Sequence, residues 1–214
     1  IPPVITCTPL LNTSSFSART LIANISDQSG IPFSGTGMPR VYWRINSTGN
    51  WNYTTGTALT GTQVSFTFGS GVALHDTVYY YIVAQDNAPI PNASALPGFG
   101  STITSVNPPA STVPTPPYAY IVIKPISGVI PVGMGKTYAT LTDAVNDFNS
   151  CELVGPVTFE LYDNSYPSET FPIVINPAVG LGISHPLVIR PKAGVTSVVS
   201  GSSATGILKI NGAD

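Results

Sequence analysis

At 214 residues the chain is long enough for one or two domains with cores of their own. Only 8% of its residues are charged and 43% are hydrophobic, against about 25% charged in an average globular chain. Eight Lys and Arg are scattered against ten acids for a net charge of -2, so there is no basic footprint for nucleic acid, and no run of about 18 apolar residues exists to span a membrane.

Residues 1 to about 106 alternate in short strands with turn signals between them. "VITCTPL" is the first. "RTLIANIS" sets Leu21, Ala23 and Ile25 on one face, and "RVYWRIN" turns Val41, Trp43 and Ile45 inward with Tyr42 and Arg44 outward. "QVSFTFG" alternates through Val64, Phe66 and Phe68, "TVYYYIVAQD" through Val78, Tyr80, Ile82 and Ala84, and "STITSV" is expected to close the set. Period-2 alternation buries one face per strand, which predicts two packed antiparallel sheets, a β-sandwich of about 100 residues.

"ISDQSGI", "VYWRIN…GNW" and "VYYYIVAQD" resemble the immunoglobulin-like or fibronectin-type-III-like modules of bacterial secreted proteins. The resemblance implies that Trp43 is the core Trp of the third strand and Tyr80 a tyrosine-corner residue. It is silent on function. Only Cys7 lies in this half, so the disulfide of antibody domains is missing; Cys7 and Cys151 read as two separate buried hydrophobes, with a pairing of the two as the alternative.

"NPPASTVPTPPY", residues 107–118, holds five prolines in twelve residues. Proline removes a strand donor and favours extended polyproline geometry, so this stretch is expected to be a semi-rigid linker. A second unit is expected over 119–214.

"TYATLTDAVNDFNS", residues 137–150, is the one helical pattern. Thr140 can cap it with Asp143 three residues on, and Leu141, Ala144, Val145 and Phe148 form a single apolar stripe. After it, "GPVTFELYDN", "FPIVINPA", "HPLVIRPKAG", "TSVVSGS" and "GILKING" are short apolar strands without tight hairpin signals. That favours the coils of a parallel solenoid, whose open end a helix would cap. "VGMGKTYATLTDAVNDFNS", "LVIRPKAG" and "ILKINGAD" resemble the N-terminal entry of right-handed parallel β-helix domains of the pectin-lyase-like type. Large surface proteins of Bacteroidetes-type bacteria join such segments to sandwich modules. The expected fold is thus mostly β, an Ig-like sandwich followed by a capped, truncated β-helix. Ile1-Pro2-Pro3 has neither the basic nor the apolar stretch of a signal peptide, and the expected context is a secreted or cell-surface protein longer than this segment.

Three clusters are candidates for chemistry. In an Ig-like sandwich the loops "DQSGIPFSGTGMP" and "DNAPIPNASALPG" meet at one tip, where Asp27, Asp86 and Asn87 could bind Ca²⁺ weakly. Each Asp capping its own loop is the competing reading. Trp51, Tyr53 and Tyr42, with Tyr79 and Tyr81, are outward rings that could stack on a polysaccharide or cell-surface glycan; packing against the sheets or the linker is the alternative. Glu160, Asp163 and Glu169 crowd one stretch, but Glu160 and Asp163 have odd spacing on a strand and point to opposite faces, so they read as solvated loop acids. His75 and His185 have no ligand-spaced partners, and no cofactor is expected. The leading expectation is a non-catalytic spacer or adhesion segment whose partners are neighbouring domains of its own chain. A polysaccharide lyase or hydrolase with its active coils elsewhere and a carbohydrate-binding sandwich are the alternatives.

Overall fold

The computed structural model describes residues 1–98, 103–108 and 113–212. The chain is mostly β and divides into two compact units, Ile1–Leu11 with Ser15–Val122, and Asn12–Ser14 with Ile123–Asp214.

The first unit contains β1 (Val4–Cys7), β2 (Arg19–Ser26), β3 (Arg40–Ile45), β4 (Asn52–Thr55), β5 (Thr57–Ala58), β6 (Gln63–Phe68), β7 (Thr77–Gln85), β8 (Ala93–Leu96) and β9 (Tyr118–Ile121). One sheet has the order β1-β2-β6-β5 and the other β4-β3-β7-β8, all antiparallel. β7 pairs with β3 along one edge and is shared along the other, by β8 at Ile82–Gln85 and by β9 at Thr77–Tyr80. The inward set is the one the alternation predicts: Leu21, Ala23, Ile25, Val64, Phe66 and Phe68 pack with Val41, Val78, Tyr80, Ile82 and Ala84 in one core. Each of the larger of these side chains removed from water contributes about 1.5–3 kcal/mol, which is what holds two sheets face to face in a sandwich-like arrangement. Gly56, between β4 and β5, has no room for a Cβ, because one would collide with Val64 and Phe66.

Three expectations need correction here. Of "STITSV", Ser101 and Thr102 lie outside the described residues and 103–106 form no strand; β8 and β9 take the closing positions instead. In the proline-rich stretch, 109–112 lie outside the described residues, Val113 packs on the sheet, and Tyr118 already begins β9 of the first unit. Tyr80 is fully buried, but its hydroxyl accepts the Leu10 N–H at 2.8 Å, on a distant segment, rather than a group a few residues upstream as in a tyrosine corner. Burial pushes its ionisation up to about 12.

The second unit contains β10 (Pro125–Val132), α1 (Leu141–Phe148), β11 (Glu152–Leu161), β12 (Ile173–Ile175), β13 (Leu187–Pro191) and β14 (Leu208–Ile210). All its strand pairs are parallel, in the orders β10-β11-β13 and β12-β14. Val157 faces Leu187, Ser165 bridges Val198, and Ile173 faces Leu208, so successive positions are matched about 30–35 residues further on. "TSVVSGS" contributes only the Ser165–Val198 bridge and no strand.

α1 forms where the pattern places it. The Thr140 hydroxyl accepts the Asp143 N–H at 3.0 Å and donates to the Asp143 carboxylate at 2.7 Å. Leu141, Ala144, Val145 and Phe148 are all buried, in a core shared with Val157, Phe159, Leu161, Ile173 and Ile175. β13 and β14 are end strands, Leu208 and Ile210 are 48% and 60% exposed, and a cavity of about 290 Å³ opens between Leu141, Leu161, Ile173, Ile189, Val199 and Leu208.

Candidate functional site

The sheet face of β3, β4 and β7 that looks away from the main core carries the densest set of functional side chains. Alternation puts Arg40, Tyr42 and Arg44 of β3 on that face, with Tyr79, Tyr81 and Val83 of β7. The register sets Tyr42 beside both Tyr53 and Tyr81, and Arg44 beside Tyr79. Tyr42 stacks on Tyr81 at 5.2 Å between centroids and tilts against Tyr53 at 5.8 Å, while Trp51, at the tip of the β3–β4 hairpin, meets Tyr81 edge-on at 4.9 Å. Two guanidinium groups extend the row, Arg40 at 4.3 Å from the Tyr53 ring and Arg44 at 4.7 Å from Trp51 and 5.5 Å from Tyr79.

This face is partly covered. Ile103, Val106 and Val113 join Tyr81, Val83 and Ala93 in a small second core, against which Tyr42 and Trp51 pack. The Tyr42 hydroxyl donates to the Val106 carbonyl at 2.7 Å, the Val106 N–H donates to the Gln85 side-chain Oε1 at 3.1 Å, and Arg40 donates to the Asn107 side chain. Burial raises the Tyr81 phenol far above its ordinary range. Of the three rings expected to form a sugar platform, Tyr42 is thus engaged by the chain itself, Trp51 is half-buried, and Tyr53 is 56% exposed. The two arginines were not singled out from sequence as site residues, although the alternation that turns Tyr42 outward turns Arg40 and Arg44 outward with it.

The acidic loops do meet. The Asn87 N–H donates to the Gly30 carbonyl at 3.1 Å, in the turn that Asp27 caps by accepting the Ser29 N–H at 2.7 Å. Asp86 is only 1% exposed and its carboxylate is fully engaged: it accepts from the Asn92 side chain at 2.8 Å, the Asn92 N–H at 2.9 Å and the Ala88 N–H at 3.3 Å. The hydrogen bond from the Asn92 side chain leads the influences that hold this carboxyl below the usual range. The geometry is that of loop-capping acids. Among the described residues no three or more His, Cys, Asp or Glu side chains are grouped to hold a metal ion.

In the second unit the three crowded acids are each tied to the fold rather than simply solvated. Glu160 meets Arg190 at 3.4 Å, Asp163 accepts the Met134 N–H at 2.6 Å, and Glu169 accepts the N–H groups of Leu141 and Thr142 at 2.6 and 2.7 Å. Glu152 accepts from Ser14 and Thr13, which tie residues 12–14 into this unit. Asp147 receives Lys124 at 2.7 Å and the Tyr138 hydroxyl. Cys7 and Cys151 are both free thiols. Among the described residues no helix is long and apolar enough to cross a membrane.

Comparison with models of protein families finds no family that matches this chain, and comparison with curated proteins finds no match.

Proposed function

We propose that this chain is a non-catalytic structural and adhesion segment of a large secreted or cell-surface protein. One observation carries the reading. All nine described carboxylates accept hydrogen bonds from the fold: Asp27, Asp76 and Asp86 close turns of the first unit, and Asp143, Asp147, Glu152, Glu160, Asp163 and Glu169 fasten the second. A glycoside hydrolase needs two carboxyl groups free to face each other about 5–10 Å apart across a cleft. Acids already spent on hydrogen bonds within the fold suit a scaffold. In the same reading the first unit is an Ig-like sandwich, supported by the order β1-β2-β6 opposite β4-β3-β7, with β8 and β9 as two halves of the last strand. The second unit is the capped beginning of a right-handed parallel β-helix, supported by parallel pairing at a spacing of about 30–35 residues and by the exposed apolar side chains of β14.

Antibodies against this chain should label intact cells or the culture supernatant of the source organism, and the protein should release no new sugar ends from a polysaccharide panel. Purely cytosolic staining would overturn the localisation. Turnover lost on replacing a carboxylate would overturn the non-catalytic reading.

A second reading is favoured by the half-open aromatic face. The exposed Tyr53 ring, with Trp51 and two arginines beside it, forms a platform on which the apolar face of a sugar could stack. Soluble glycan binding that is lost in Trp51→Ala would support it; identical binding by the variant would remove it.

A further inference from the structure

We infer that Arg44, Trp51 and Tyr79 form a subsite for a carboxylate-bearing sugar. The inference rests on the carbohydrate-binding reading of the aromatic face and adds the ligand's charge to it.

The four arginines differ in how their donors are used. Arg19 donates to the Leu11 carbonyl, Arg40 to the Thr36 carbonyl and the Asn107 side chain, and Arg190 to Glu160. Arg44 is the one guanidinium with no hydrogen bond among the described residues. Its Nε is buried and has no partner, as is also the case for Arg40 Nε, but Arg40 has bonded terminal nitrogens and Arg44 has none. A buried donor left unpaired costs free energy, and such groups in native proteins call for an explanation. The low overall charge sharpens the point: the only ion pairs among the described residues are Lys124–Asp147 and Arg190–Glu160, both in the other unit.

Arg44 is nonetheless held in place. Its guanidinium lies 4.7 Å from the centre of the Trp51 ring and 5.5 Å from that of Tyr79. Stacking uses the faces of a guanidinium and leaves the N–H groups at its edge to be satisfied. A planar carboxylate matches that fork with two parallel hydrogen bonds. The other cation of the row, Arg40, already spends its terminal N–H groups on Asn107 and Thr36, so Arg44 is the one whose terminal N–H groups have no acceptor among the described residues. The rings beside it supply the flat apolar surface for the pyranose, which makes the ligand a sugar acid rather than a simple organic acid.

The test is calorimetric titration of the wild-type protein with an oligoglucuronate, its methyl ester and a cello-oligosaccharide of equal length, repeated on Arg44→Gln and Trp51→Ala. The oligoglucuronate should bind, and Arg44→Gln should weaken it roughly tenfold or more, the loss expected for a charge-assisted hydrogen-bonded pair. The ester on wild-type protein should reproduce that loss, which separates lost recognition from any misfolding of the variant. Trp51→Ala should weaken all three ligands. Equal binding of acid, ester and neutral oligomer, lost only in Trp51→Ala, would overturn the inference and leave the glycan platform standing. No binding of any oligomer would overturn both.

Discussion

The Glu169 carboxylate straddles the first turn of α1, accepting the Leu141 N–H at 2.6 Å and the Thr142 N–H at 2.7 Å, with the Thr142 hydroxyl on the same oxygen as the latter. A helix start leaves its first N–H groups unsatisfied and carries a partial positive charge. Glu169 answers both needs from a loop 28 residues away, while Thr140 and Asp143 close the cap locally. Replacing Glu169 by Ala should therefore destabilise the second unit by about 1–2 kcal/mol, the range for a lost cap. Glu160→Gln, which loses only a long and partly exposed pair to Arg190, should stay within about 0.5 kcal/mol. Urea unfolding followed by far-UV circular dichroism distinguishes them; equal effects would show that the cap contributes nothing.

Tyr42 and Tyr53 are register partners on one face, yet they differ in what their hydroxyls do. Tyr42 donates to the Val106 carbonyl, and among the described residues no such bond is made by Tyr53, whose contacts there are with the Tyr42 ring and the Arg40 guanidinium. Tyr42→Phe should cost about 1 kcal/mol and speed amide exchange at Val106, since one of the hydrogen bonds holding that segment is gone and the Val106 N–H bond to Gln85 is loosened with it. Tyr53→Phe should be neutral to within about 0.5 kcal/mol. If the Val106 amide is equally protected in Tyr42→Phe, the hydroxyl does not anchor the segment.

Asp147, Lys124 and Tyr138 set a pH window for the second unit. Burial alone would push the Asp147 carboxyl up, but hydrogen bonds from Lys124 and Tyr138 outweigh it and hold the group below its usual 3.8. A depressed folded-state value stabilises above the unfolded value and is lost as pH falls through the folded one. Tyr138 moves the other way, pushed up to about 12 by burial and then by its hydrogen bond to Asp147. A raised value stabilises below the unfolded value of 10.0 and is lost as pH rises toward 12. Asp147→Asn should thus melt lower than wild type at pH 7, with the gap closing below about pH 4. Tyrosinate absorbance at 295 nm should show a fraction of the tyrosines ionising only as pH approaches 12, well above the ordinary 10.0. A gap independent of pH would separate the cluster from acid stability.

Much of this architecture is legible from local pattern. The faces of β2, β3, β6 and β7 follow from alternation, because burial of one sheet face imposes a period of two on the residues themselves. The α1 stripe and its Thr140 cap are local in the same way. What escapes the sequence depends on partners far along the chain. β9 returns to β7 after the proline-rich stretch, and Val106 and Val113 cover Tyr42 and Tyr81; neither is signalled by composition, since prolines mark extended chain without saying what it lies against. Glu169 looks like a solvated loop acid until the fold brings it to Leu141. The aromatic row was visible as outward rings, but the contrast between Arg44 and the other arginines exists only once each guanidinium's partners are known.

Gly56 marks where the first unit has no spare volume. It sits between β4 and β5, and a Cβ there would run into Val64 and Phe66, both fully buried in the core. These are β-sheet side chains locked by their neighbours, so the intruding methyl cannot be relieved by a flexible chain end. Gly56 has none of the positive φ that would add backbone strain, so the cost is steric alone. Gly56→Ala should destabilise the first unit by about 1–3 kcal/mol, as overpacking does. Gly61, in the next turn, has φ of +65° and no atom within reach of a Cβ. Gly61→Ala should cost only the left-handed conformation, about 1–2 kcal/mol, and Gly61→Asn less than that. The two sites are told apart by rescue. Val64→Ala made in the Gly56→Ala background should recover part of the loss, because it empties the space the new methyl needs, whereas it should add its full cost on top of Gly61→Ala. Strict additivity in both backgrounds, measured by thermal unfolding of the first unit's near-UV signal, would contradict the steric account of Gly56.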